Sequence, residues 1–198
     1  MTTPQPAAAP DPRPLYARAV AQTQALVDHV QPGQLSGPTP CAEFDVRALL
    51  SHMVGGTNRV AHVGQGGDSR DVPARVDGVP DDGWPDAFRQ AVERSQAAWS
   101  DDARLDELAL VPWGKVPGRA ALTGYIQEVL VHGWDLATAT GQPVELDPEL
   151  AEFALAFAHR ALPPEPRGTA EIPFGPVVQP PPGAGPYTQL ATYLGRTP

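Results

Sequence analysis

Apolar residues fall into helical spacing four times along this chain, and each run ends at a turn signal. Leu15, Ala19, Leu26 and Val30 mark a first helix over residues 15–30, stopped by Pro32-Gly33. Asp45 is placed to cap a second over 45–63, whose Val46, Leu49, Leu50, Met53, Val54 and Val60 share one side. Phe88, Ala91, Val92, Ser95 and Trp99 keep the same period through a third, over 84–100. A fourth runs from 119 to 140 and stops at Gly141, a residue suited to a left-handed C-cap. A shorter helix over 148–162 ends at Pro163-Pro164, and a last helical turn spans 187–194 after a Pro-rich irregular stretch. Residues 64–83 read as a Gly- and Asp-rich surface loop able to gate a pocket, and the prolines and glycines of 101–118 exclude a continuous helix there. No stretch alternates convincingly as a strand. Four amphipathic segments that need each other's apolar faces predict an all-α, four-helix up-down bundle with an additional short helix and the irregular C-terminal segment.

A chain of 198 residues suits one domain with a proper core. Residues 1–13, with four prolines among alanines, read as a disordered tail, which leaves 14–198 as the folded domain. A formal charge of -9 argues against a nucleic-acid partner, because a phosphate surface would repel it. There is no apolar run to cross a bilayer, no signal-like start, and a single cysteine, Cys41. The expectation is a cytoplasmic protein, monomer or homodimer. Lys115 is the only lysine while Ala, Pro and Gly abound, a bias that suggests a GC-rich, for example actinobacterial, genome.

The clearest chemistry lies in the fourth helix, from Tyr125 to Ala137. Glu128 and His132 are four residues apart, so both project from one face about one turn apart, as two ligands of one metal must. A carboxylate and an imidazole suit zinc or a similar divalent ion, with positions left for another ligand and water. Ile126, Val129, Leu130, Gly133 and Ala137 lie roughly opposite and can enter a core. On spacing alone a solvated i, i+4 pair is the better reading. In the second helix, His52, Gly56 and Arg59 share a face away from the apolar stripe, which meets either solvent or a polar cavity. Gly55-Gly56 costs helix stability, so a close backbone approach or space for a ligand is the motive.

Three stretches carry a family resemblance: Thr39-Pro40-Cys41 leading through Asp45-Val46-Arg47 to His52-Met53-Val54-Gly55-Gly56; the string Glu128 to Ala137; and Leu190 to Pro198. With them the sequence resembles the DinB/YfiT-like superfamily, in particular the actinobacterial branch that includes mycothiol-dependent maleylpyruvate isomerase. The resemblance implies a four-helix bundle whose cavity holds a divalent metal, zinc first and nickel second, on His52, Glu128 and His132. Many members have a third His where this chain has Glu128. The long C-terminal domain attached to the isomerase has no counterpart here, so that exact reaction is not implied.

Two functions follow. One is an enzyme whose metal activates water or a low-molecular-weight thiol, mycothiol being the cosubstrate the resemblance suggests, for transfer, addition or isomerisation on a small electrophile. The other is a non-catalytic bundle that binds a metal or small molecule. Tyr125 and Asp135 are expected on the same cavity as the three ligands, with Asp135 orienting one of them, standing as a solvated acid, or forming a bundle salt bridge. Arg59 is placed to bind a carboxylate of substrate or cosubstrate, or to form a salt bridge. Trp113 and Trp134 read as packing residues, Cys41 as a buried small hydrophobe rather than a nucleophile, and His29, His62 and His159 as structural or surface residues.

Overall fold

A computed structural model of the chain describes residues 10–165, 167–168 and 174–198. Among these residues are seven α-helices and one hairpin: α1 (Arg13–Asp28), α2 (Val46–Gly64), α3 (Trp84–Ala98), α4 (Ala103–Asp106), β1 (Leu108–Val111), β2 (Gly114–Pro117), α5 (Gly118–Thr140), α6 (Pro148–Ala161) and α7 (Pro186–Tyr193). The fold is all-α, as expected. Two of the boundaries follow from the residues singled out for them. Asp45 accepts the Ala48 N–H at 2.7 Å, and Gly141 closes α5 at φ 69°. The expected tail, 1–13, overlaps the helix, since α1 starts at Arg13; residues 1–9 lie outside the described ones, as do 166 and 169–173 of the Pro-rich stretch.

The four long helices form a ring in which α1 packs on α3 and α5, and α2 packs on α3 and α5. Helix α5 is the centre of the molecule, because α6 and α7 close over its remaining sides. Ile126, Leu130, Gly133 and Ala137 are accordingly buried, and so is nearly everything between them. None of the helices is long and apolar enough to cross a membrane.

The direction of α3 differs from the alternation expected. Arg13 Nη1 donates to Ser100 O at 3.0 Å and Gln24 Nε2 to Pro85 O at 3.1 Å, so α1 and α3 run antiparallel. Gln34 and Gln142 tie the end of α1 to the end of α5, each with a 3.0 Å bond, so those two run parallel. The Arg47–Asp81 ion pair at 2.7 Å joins the beginnings of α2 and α3, while Trp99 Nε1 donates to Val60 O at 2.9 Å near their ends. The order is therefore up, down, down, up. The long connection after α2 is the reason, since it runs back along that helix before α3 begins. Arg59 Nε donates to Val72 O at 2.7 Å, the Ser51 hydroxyl to Val76 O at 2.7 Å, and His52 Nδ1 lies 3.1 Å from Ala74 O.

Adjacent glycines on α2 meet opposite surroundings. A Cβ on Gly55 would stand 2.6 Å from the Ala74 carbonyl, whereas one on Gly56 would meet nothing within 4 Å. Gly55→Ala should therefore destabilise the fold by about 1–3 kcal/mol, and so lower the melting temperature, by pushing the returning loop off α2. Gly56→Ala should raise stability by about 0.5–1 kcal/mol. Thermal unfolding of the two variants checks this; equal shifts would mean the loop does not lie where described.

The hairpin is a correction to the strand-free expectation. Its strands pair antiparallel, Leu108 with Pro117 through Val111 with Gly114. Four residues a side is too short for a period of two to stand out, and Leu108 on the outward face is apolar and 60% exposed, which breaks the alternation further. The turn lays the Trp113 ring on the backbone of α5, where a Cβ on Gly124 would be 2.6 Å from Trp113 Cζ2.

Candidate metal centre

Antiparallel packing of α2 on α5 sets the first half of one against the second half of the other, which brings His52 to His132. Their ring centroids are 4.9 Å apart at 83°. Glu128, one turn before His132, completes a group whose ligand-type atoms all lie within 4.8 Å of one another. Two ligands of a tetrahedral zinc with bonds of roughly 2.0–2.1 Å stand about 3.4 Å apart, so small side-chain rotations suffice to close the set on an ion.

The outward nitrogens of both imidazoles are occupied. His132 Nδ1 lies 3.1 Å from Asp135 Oδ2, and His52 Nδ1 faces Ala74 O. A proton held on each Nδ1 leaves Nε2 as the lone-pair donor, the arrangement in which metal-bound histidines are found. Glu128 Oε2 is 3.5 Å from His132 Nε2, on the inner side. The donor set thus fits a divalent ion on the chemistry of its own hydrogen bonds.

Asp135 does not face the cavity as expected. Its side chain is fully buried behind His132, where Arg196 Nε at 3.1 Å and Nη2 at 3.0 Å grip the carboxylate. It is therefore no solvated acid, and the other two readings apply together, since it orients His132 and forms a salt bridge. The sequence reading assigned Arg196 no role, although it lies in the terminal string that carried the resemblance. An arginine following the apolar Leu190, Ala191 and Leu194 was the available signal.

Electrostatics separates the two histidines. Burial, reinforced by the neighbouring His132 charge, pushes His52 down to about 4, so it is neutral at physiological pH. Burial also works against a charge on His132, but the hydrogen bonds and charges of Asp135 and Glu128 outweigh it and raise the group to about 9. Glu128 is held below the usual carboxylate range, its burial being outweighed by His132.

A cavity of about 490 Å³ opens from the triad between α2 and α5. Gly56, Arg59 and Tyr125 line it, as do Trp113 from the hairpin, Phe157 from α6 and Phe174. Trp113 is thus more than a packing residue, being 44% exposed and set edge-on to Tyr125 at 5.3 Å. Trp134 is buried in the core, as expected. Cys41 is only half-buried, away from this lining, and burial raises its thiol. Among the other histidines, His159 meets Tyr193 edge to face, His62 sits 3.8 Å from Asp71, and His29 is exposed.

Residues 16–137 match the family described as the mycothiol maleylpyruvate isomerase N-terminal domain. This chain belongs to that family. It is 36% identical over 187 residues to uncharacterised proteins from two strains of Mycobacterium tuberculosis, covering 94% of this chain and 98% of theirs. Its fold is similar to the crystal structure of the mycothiol-dependent maleylpyruvate isomerase, with a TM-score of 0.60 at 16% identity over 73% of this chain and 66% of that one. A histidine-to-alanine mutant of the same isomerase matches equally well, at 15% identity. Mycobacterial relatives accord with the composition bias noted above.

Proposed function

We propose that the protein is a metal-dependent enzyme that activates a low-molecular-weight thiol of the mycothiol class and delivers its sulfur to a small electrophile by transfer, addition or isomerisation. The observation that carries this reading is the open donor set of His52, Glu128 and His132 at the wall of a 490 Å³ cavity, with both Nδ1 atoms already engaged. Two imidazoles and one carboxylate leave coordination positions free, as catalytic rather than closed structural sites do. The mycothiol dependence of the structurally similar isomerase supports the choice of thiol.

A bound divalent ion, zinc first and nickel second, would supply net positive charge that favours a thiolate over a thiol at neutral pH. This chain's residues do the rest. Asp135 fixes the tautomer of His132, the Ala74 carbonyl fixes that of His52, and the apolar walls limit water around the sulfur. Because His132 holds its proton up to about 9 while His52 is neutral above about 4, occupancy of the site must displace one proton, from His132. Metal affinity should therefore rise about tenfold per pH unit between pH 6 and 8. Titration of metal-free protein in buffers of different ionisation enthalpy should show about one proton released near neutrality; a pH-independent affinity would remove His132 from the ligand set.

Metal analysis of untagged protein, followed by a screen of electrophiles with and without mycothiol, tests the reading as a whole. Thiol-dependent and metal-dependent turnover is the expected result. Turnover without any thiol would indicate hydrolysis, and metal without turnover a binding protein.

A further inference from the structure

The two walls of the cavity differ in chemistry beyond the metal ligands. Because α2 and α5 run antiparallel, stepping seven residues from His52 to Arg59 and seven back from His132 to Tyr125 moves the same way along the groove, about 10 Å at 1.5 Å per residue. Arg59 and Tyr125 thus form a second polar station, separated from the first by the open space over Gly56. Arg59 is the one Arg or Lys among the described lining residues, and its one hydrogen bond to a described residue, Nε to Val72 O, leaves the Nη end of the guanidinium for a ligand. Tyr125 is 5% exposed and its hydroxyl has no hydrogen-bond partner among the described residues, a costly state for a buried group unless something else supplies one. Arg59 lies near enough for its charge to act on that phenol. Around this station Trp113, Phe157, Leu162 and Phe174, from separate parts of the chain, present half-buried apolar surface.

We infer that the cavity takes a small monocarboxylate with an aromatic or branched-alkyl body, its carboxylate on Arg59 and Tyr125 and its reactive end at the triad. A guanidinium and a phenol hydroxyl together complete the coordination of one carboxylate. A second carboxylate would have to lie against aromatic surface, or beside the Glu128 carboxylate that already pairs with His132, at a cost that selects against dicarboxylates. This assignment rests on the proposed function for the identity of the reacting end, but the binding it predicts needs neither metal nor thiol.

The test is calorimetric titration of EDTA-treated full-length protein with 4-phenylbutyrate, its neutral counterpart 4-phenylbutanol, and adipate. Phenylbutyrate should bind at least about tenfold more tightly than the alcohol, and adipate more weakly than either. Arg59→Ala should abolish the preference for acid over alcohol while leaving the alcohol's affinity unchanged. Tyr125→Phe, which breaks no existing hydrogen bond and so keeps the fold, should weaken the acid about threefold and the alcohol not at all. Phe157→Ala should weaken both by the same factor, about fivefold. Equal binding of acid and alcohol, adipate binding as tightly as phenylbutyrate, an undiminished preference in Tyr125→Phe, or no binding of any probe would overturn the assignment. Failure here with metal and thiol turnover intact condemns this inference alone; lost turnover with the preference intact condemns the functional reading alone.

Discussion

His132→Ala is expected to lower metal affinity by well over about 100-fold and to take turnover to background, the largest effect of any single substitution in this chain. Two donors would remain, His52 and Glu128, and two rarely hold a divalent ion against water. The contrasting variant is Cys41→Ser, which should keep both metal and activity. Cys41 is half-buried, its thiol is raised by that burial, and it does not line the cavity. In the proposed reaction the cosubstrate brings its own sulfur, so that no protein nucleophile is needed. Metal content and turnover measured on both variants decide the matter. If Cys41→Ser removes turnover while metal remains, catalysis is covalent through the protein's own thiol and the external-thiol reading fails.

Arg196→Ala should come second, acting on stability and metal together. The Asp135 carboxylate is fully buried and divides its hydrogen bonds between His132 and the Arg196 fork. Removing the fork strands a buried charge, which costs about 3–5 kcal/mol. That corresponds to a melting temperature lower by roughly 10 °C in a chain of this size. With Asp135 less firmly held, His132 loses its fixed tautomer and metal affinity should fall by about 10–100-fold. Arg196→Lys should recover only part of each loss, because a single ammonium cannot reproduce the two-pronged grip. An unchanged melting temperature in Arg196→Ala would show that the pair is not buried as described.

What the sequence made legible is what repeats or pairs at helical distance. The four long helices followed from stripes such as Phe88, Ala91, Val92 and Ser95, and Glu128 and His132 from their spacing along one helix. His52 came from resemblance and not from spacing, because its meeting with His132 depends on the packing of α2 against α5. Direction was not legible either. The parallel course of α2 and α3 depends on main-chain contacts of the 65–83 connection with Ser51, His52 and Arg59, and hydrophobic periodicity carries no information about those. Asp135 was misplaced for a related reason: a helical wheel puts it near the His132 face, but the partner that draws it inward, Arg196, lies 61 residues away. The hairpin was missed because four-residue strands leave too little pattern to read.

The returning loop after α2 holds the site in place with carbonyl groups: Ala74 O faces His52 and Val72 O accepts from Arg59. Every amino acid offers the same carbonyl, so evolution can exchange the side chains there almost freely without touching the chemistry. Its length is another matter. Deleting one residue between Asp68 and Val76 would shift these acceptors out of step with α2, misaligning His52 and Arg59. In this segment insertions and deletions, rather than substitutions, mark the boundary between a working descendant and an inert one.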